Sequence, residues 1–216
     1  MSVNVETEIK FPVKDFYKIK EIYDVLANMF IVYPYDKTML YDIYFDTKSF
    51  DLLKSGCSYR VRNKRNRSIN FKTKGQVIHG ILSRFEYRDP VENKLSLDEI
   101  LSIKCETNDM VKAVFDLYDE TLLEKKIILC SYRTSYLLYY KDGNDVKKFA
   151  VCSFDKFFDT SRKEPYYEIE IESCAEELSA RLFIGYKMII EKFGQIGMKS
   201  SSTNKYTTLM YDTGVL

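Results

Sequence analysis

The stretch VNVETEIKFP, residues 3–12, decides how the chain is read. Val5, Ile9 and Phe11 alternate with polar neighbours at the two-residue period of a strand, which sends every second side chain to one face. The opposite face carries Glu6, Glu8 and Lys10. Carboxylates two residues apart on a strand lie roughly 7 Å from each other on the same side. They repel unless water or a cation intervenes.

Like-charged rows recur along the chain. Arg60 and Arg62 share a face, as do Lys72 and Lys74, then Arg84, Glu86 and Arg88, and finally Glu168, Glu170 and Glu172. Each row is backed by apolar residues. A single strand of this kind reads as one side of a solvated antiparallel sheet. Whole rows of one sign on many strands read differently, because they weaken a sheet unless an opposite charge binds there. The pattern predicts a sheet curled into a barrel with a charged interior and apolar backs covered by helices.

The interior so predicted holds Lys10, Arg60, Arg62, Lys72, Lys74, Arg84, Arg88, Arg133 and Lys205 against Glu6, Glu8, Glu86, Asp155 and the three late glutamates. Arginine forks and lysine ammoniums match phosphate oxygens. Carboxylates among them make sense as oxygen ligands of a hard divalent ion, Mg²⁺ or Mn²⁺, that bridges to phosphate.

The 216 residues, 45% hydrophobic and 15% aromatic, suffice for one domain with a real core, taken here as 1–216. With 33 basic and 32 acidic residues the chain lacks the basic excess of a nucleic-acid wrapper. The five cysteines show no paired spacing and are expected to be reduced and mostly buried. No leader and no spanning segment is read, so the expected location is cytoplasmic, away from membranes.

Helical spacing marks a segment between Val13 and Met29. Strands are read at 39–47, 57–64, 68–75 and 81–90, with a hairpin connection at 75–80. Short helices are read at 96–99, from the capping box SLDE, and at 108–118. Further strands follow within 126–140, 147–158 and 165–173, the first two joined by a turn at 141–145. A last long helix is expected from Ser173, with Glu176 completing a capping box, to Gly194 as its terminator, and one more strand in the tail.

On these residues the chain resembles the triphosphate tunnel metalloenzymes, the CYTH superfamily. Glu6, Glu8 and Lys10 are similar to its opening E-x-E-x-K, Tyr44 to Thr47 to its Y-F-D-T, and Arg60 and Arg62 to its R-x-R. Lys72 and Lys74, Arg133, Asp155, Glu168 to Glu172 and Lys205 resemble its later elements. Two departures stand out: Arg88 where many members carry a glutamate, and Ser131 where many carry a lysine.

The resemblance implies an α+β fold with a closed eight-stranded antiparallel barrel. It implies Glu6, Glu8, Glu168, Glu170 and Glu172 on metal, and Lys10, Arg60, Arg62, Lys72, Lys74, Arg84, Arg88, Arg133 and Lys205 on phosphates. Glu6, Glu8 and Lys10 form the catalytic set, with Glu86 and Asp155 as further tunnel carboxylates. The implied reaction is metal-dependent hydrolysis of inorganic tripolyphosphate or an organic triphosphate such as thiamine triphosphate. Alternatives are a class IV adenylyl cyclase, an RNA 5′-triphosphatase, which would meet nucleic acid only at a 5′-triphosphate end, and a phosphate-binding module without catalysis. His79 reads as a surface residue and Asp46 as a turn former. Oligomeric state is not legible.

Overall fold

The computed structural model describes residues 2–14, 17–64, 67–91, 123–159, 164–174, 179–212 and 214. The strands are β1 (Ser2–Val13), β2 (Ile31–Asp46), β3 (Ser58–Asn63), β4 (Arg67–Lys72), β5 (Gln76–Ile78), β6 (Ile81–Val91), β7 (Glu124–Asp142), β8 (Asp145–Asp159) and β9 (Tyr166–Ser173). The helices are α1 (Lys18–Met29), α2 (Asp51–Lys54), α3 (Ala180–Gln195) and α4 (Lys205–Asp212).

All strand pairs are antiparallel, in the order β1-β9-β8-β7-β2-β3-β4-β6, and β1 closes the ring by pairing with β6. The result is the expected eight-stranded barrel. The short β5 adds to β6 through a two-residue turn at His79 and Gly80, whose φ angles of 51° and 82° are those of a hairpin turn matched to strand twist. His79 is exposed, as read from the sequence.

The apolar backs of β1, β8 and β9 (Ile9, Phe11, Phe154, Ile169 and Ile171) are buried under α1 and α3, where Ile22, Leu26, Tyr186, Ile189 and Phe193 complete the main core. Phe11 meets Phe193 edge-on at 4.7 Å. Each such buried side chain contributes about 1.5–3 kcal/mol. A second cluster lies on the backs of β2, β3 and β4, with Ile43, Phe45, Tyr59, Val61, Ile69 and Phe71.

Several boundaries differ from expectation. Ser173 is the last residue of β9, and α3 is capped instead by Ser179, whose hydroxyl accepts from Leu182 N–H at 3.2 Å. Gly194 lies inside the last turn of α3, and Gly197, with φ 78°, follows it. Among the described residues the tail forms no strand beyond an isolated Lys10–Ser201 bridge, and α4 follows it. The helices read at 96–99 and 108–118, and Cys105, lie outside the described residues. Of the other cysteines, all free thiols, Cys130 and Cys152 are buried, Cys57 is half-buried and Cys174 is exposed. No helix among the described residues is long and apolar enough to cross a membrane.

Candidate active site in the barrel tunnel

Strand alternation carries the charged rows inward, where they line a cavity of about 380 Å³. Glu6, Lys10, Arg60, Arg62, Lys72, Arg84, Glu86, Arg88, Arg133, Glu170, Glu172 and Lys205 all face it. Glu8, Asp155 and Glu168 are buried in its wall. One end is covered by α4: Tyr206, Leu209 and Met210 pack on Tyr44, Leu129 and Phe157, which share the inward faces of β2, β7 and β8. Tyr206 stacks on Tyr44 at 4.9 Å and donates to Asp46 at 3.3 Å. Arg88 is exposed at the other end. A larger cleft of about 720 Å³ lies beside α1, where six aromatic rings are joined by Lys20, Lys37 and Lys156 and by Asp155 and Glu168, and no arginine among the described residues reaches it.

Two networks of buried charge divide the tunnel. In the first, Glu6 bonds Lys72 and accepts from Arg84 Nε at 2.8 Å, while the other arm of Arg84 reaches Glu8 at 2.8 Å. Burial pushes the Glu6 carboxyl up, but Lys72, Arg84 and Lys10 outweigh it and hold it well below the usual carboxylate range. Arg84 thereby positions both glutamates. In the second, Arg133 binds Asp155 through two nitrogens at 2.7 and 2.6 Å and reaches Glu170. Lys10 spans the two networks, 3.2 Å from Glu8 and 3.1 Å from Glu170.

Glu172 stands apart. It faces Glu8 directly in the β1–β9 register, and among the described residues no cation lies within ion-pair distance of it. Burial, reinforced by the negative charges of Glu6, Glu8 and Glu170 and only partly offset by Lys72, pushes its carboxyl up to about 7.

One residue expected to face the tunnel does not. β4 ends at Lys72, so alternation no longer governs Lys74, which is exposed and lines a separate cleft beside α4. Lys205 faces the tunnel, but its ammonium lies 2.7 Å from Glu168, 2.8 Å from Glu170 and 3.0 Å from Asp155. An ammonium has three N–H donors. Two of them go to Glu168 and Glu170, and Asp155 is its ion-pair neighbour.

Three charged residues of the site escaped the sequence reading: Asp36 and Lys64, paired at 3.0 Å on the cavity wall, and Asp42. Asp42 is fully buried and takes Arg62 through two bonds at 2.6 and 2.7 Å, with Arg60 at 3.4 Å. Burial raises its carboxyl, yet Arg62 and Arg60 hold it well below the usual range. The alternation Leu40, Asp42, Tyr44 contains the signal, but a lone charge in a mixed row does not draw notice. Asp46 is a turn former as expected, accepting from the backbone N–H groups of Thr47, Leu52 and Leu53 at 2.8, 2.9 and 3.0 Å.

A closed antiparallel barrel lined by paired glutamates and arginines defines the class. The sequence profile of the CYTH domain matches residues 4–203, and the chain belongs to that family. No curated protein matches it. Among solved structures it is similar to HpAC1 from Hippeastrum, described as an adenylyl cyclase candidate with a dominant triphosphatase activity: 15% identity, TM-score 0.62, covering 98% of this chain and 97% of that one. It is also similar to an adenylate cyclase candidate from Bacillus halodurans, at 20% identity and TM-score 0.61, covering 95% and 97%. The PH1819 protein of Pyrococcus horikoshii follows at 16% identity and TM-score 0.59, covering 96% and 99%. At these identities the likeness is one of fold.

Proposed function

We propose that this chain hydrolyses a triphosphate, inorganic or organic, inside the barrel with the help of Mg²⁺ or Mn²⁺. The observation that carries the reading is convergence: Arg60, Lys72, Arg84, Arg88 and Arg133 line one cavity that also receives the unpaired Glu172. Arg60 keeps its buried Nε without a hydrogen-bond partner. Arg88 has no ion pair among the described residues. Both therefore have donors to spend on phosphate oxygens.

Oxygen donors alone, one of them a half-buried carboxylate with no ion pair among the described residues, fit a hard divalent ion. Glu8 and Glu172, with Glu6 beside them, would hold it, and it would neutralise the charge that builds on the phosphoryl oxygens. Arg60, Lys72 and Arg88 orient the terminal phosphoryl group for in-line attack by water. Arg84 keeps Glu6 and Glu8 in place.

The names of HpAC1 and the Bacillus protein favour a second reading, cyclisation of ATP. Product analysis separates the two. Tripolyphosphate, thiamine triphosphate, ATP and pyrophosphate are each supplied with Mg²⁺ or Mn²⁺ while phosphate, pyrophosphate and cyclic AMP are followed. The expected result is ion-dependent phosphate release, lowered at least about 100-fold by Glu8→Gln in a folded protein, on the scale of losing a transition-state contact. Cyclic AMP with pyrophosphate would replace hydrolysis by the cyclase reading. Wild-type phosphate release from Glu8→Gln would remove the metal assignment.

A further inference from the structure

We propose that Lys205 is a built-in second cation: its ammonium fills the position between Asp155, Glu168 and Glu170, so the tunnel takes one divalent ion instead of two. The inference rests on the metal reading above and deepens it.

One oxygen from each of these three carboxylates lies within 4.8 Å of the others, a spacing that a divalent ion with oxygen ligands at about 2.0–2.1 Å would tighten only modestly. The space at their centre is already taken. Lys205 Nζ sits 2.7–3.0 Å from all three, donating to Glu168 and Glu170 and ion-paired with Asp155. Arg133 on Asp155 and Glu170, and Lys10 on Glu170, supply two more positive charges. The trio therefore carries little net negative charge with which to attract a dication.

Lys205 is also held from behind. It opens α4, whose next residue, Tyr206, is fully buried against Tyr44, with Leu209 fully buried beside it. Withdrawing the ammonium would unpack that helix from the tunnel end. Glu172 has no such tethered cation, which leaves the Glu8–Glu172 pair as the place for the single ion.

The test counts Mn²⁺ on the full chain by the electron paramagnetic resonance of the free ion, without reference to turnover. Wild type should bind one Mn²⁺, Lys205→Met two, and Lys205→Arg, which keeps the charge, one. Two ions on wild type overturn the proposal, as does a count of one on wild type that stays at one on folded Lys205→Met. If Lys205→Met folds only when Mn²⁺ is present, the ion has replaced the ammonium and the proposal stands. If it folds under neither condition, the counts on wild type and Lys205→Arg decide: one each supports, two on either overturns. No ion on wild type but one on Lys205→Met would remove the Glu8–Glu172 metal reading and keep the role of Lys205. No ion on either protein would end both.

Discussion

Glu8 on β1 and Glu172 on β9 face each other in register, yet among the described residues Glu8 alone of the two has cations within ion-pair distance, Arg84 at 2.8 Å and Lys10 at 3.2 Å. Two carboxylates opposed in a buried wall, one of them uncompensated, repel in the metal-free protein. Replacing Glu172 by Gln should therefore leave the protein in chelator at least as stable as wild type. Glu6→Gln should do the opposite, because it strands the charges of Lys72 and Arg84, a loss of about 3–5 kcal/mol for a broken buried pair. Urea midpoints in EDTA check both. Equal destabilisation by the two changes would contradict the assignment of Glu172 as the unpaired group.

Asp42 offers the pH dependence. Its carboxyl is depressed in the folded state by Arg62 and Arg60, so its contribution is complete above the unfolded value near 3.8 and fades as pH falls toward the lower folded value. The gap in unfolding free energy between wild type and Asp42→Asn should be constant from about pH 5 to 8 and narrow below about pH 4. A gap that widens on acidification would reverse the sign and refute the pairing.

Arg88 should separate binding from folding. It is exposed and makes no ion pair among the described residues, so Arg88→Ala should change stability by no more than about 0.5 kcal/mol, as surface substitutions do. The Michaelis constant for the triphosphate should rise several-fold. An unchanged constant would place the phosphates deeper in the tunnel.

Gly185, in the middle of α3, is a packing requirement. A Cβ built there would come within 2.6 Å of the Phe149 ring, which is itself stacked on Phe30 at 4.8 Å and edge-on to Tyr186 at 5.5 Å. Alanine normally stabilises a helix by about 0.5–1 kcal/mol relative to glycine. Overpacking of about 1–3 kcal/mol should win here. Gly185→Ala is expected to lower the thermal midpoint, and a rise would show that Phe149 yields freely.

The charged lining of the barrel was legible because each strand repeats its inward and outward identities every two residues. Glu6, Glu8 and Lys10 point inward for the same reason that Ile9 and Phe11 point outward, and the same holds in β3, β6 and β9. The rule lasts only as long as the strand. Lys74 keeps the spacing of Lys72 but lies past the end of β4, and alternation says nothing about it. Capping boxes are weaker signals still: Ser173 and Glu176 have the right spacing, yet pairing with Ala150 on β8 holds Ser173 in β9.

The order of residues by itself determined the charged lining and the apolar backs, since both follow from periodicity along single strands, while the closed antiparallel sheet was implied by the resemblance to the CYTH family. Only the tertiary structure decided which charge meets which. Lys205 reads alone as a phosphate ligand, but α4 folds against the end of the tunnel and delivers its ammonium to Asp155, Glu168 and Glu170, dozens of residues earlier. Electrostatic energy depends on distance through space, and sequence spacing carries no such distance once the chain has turned.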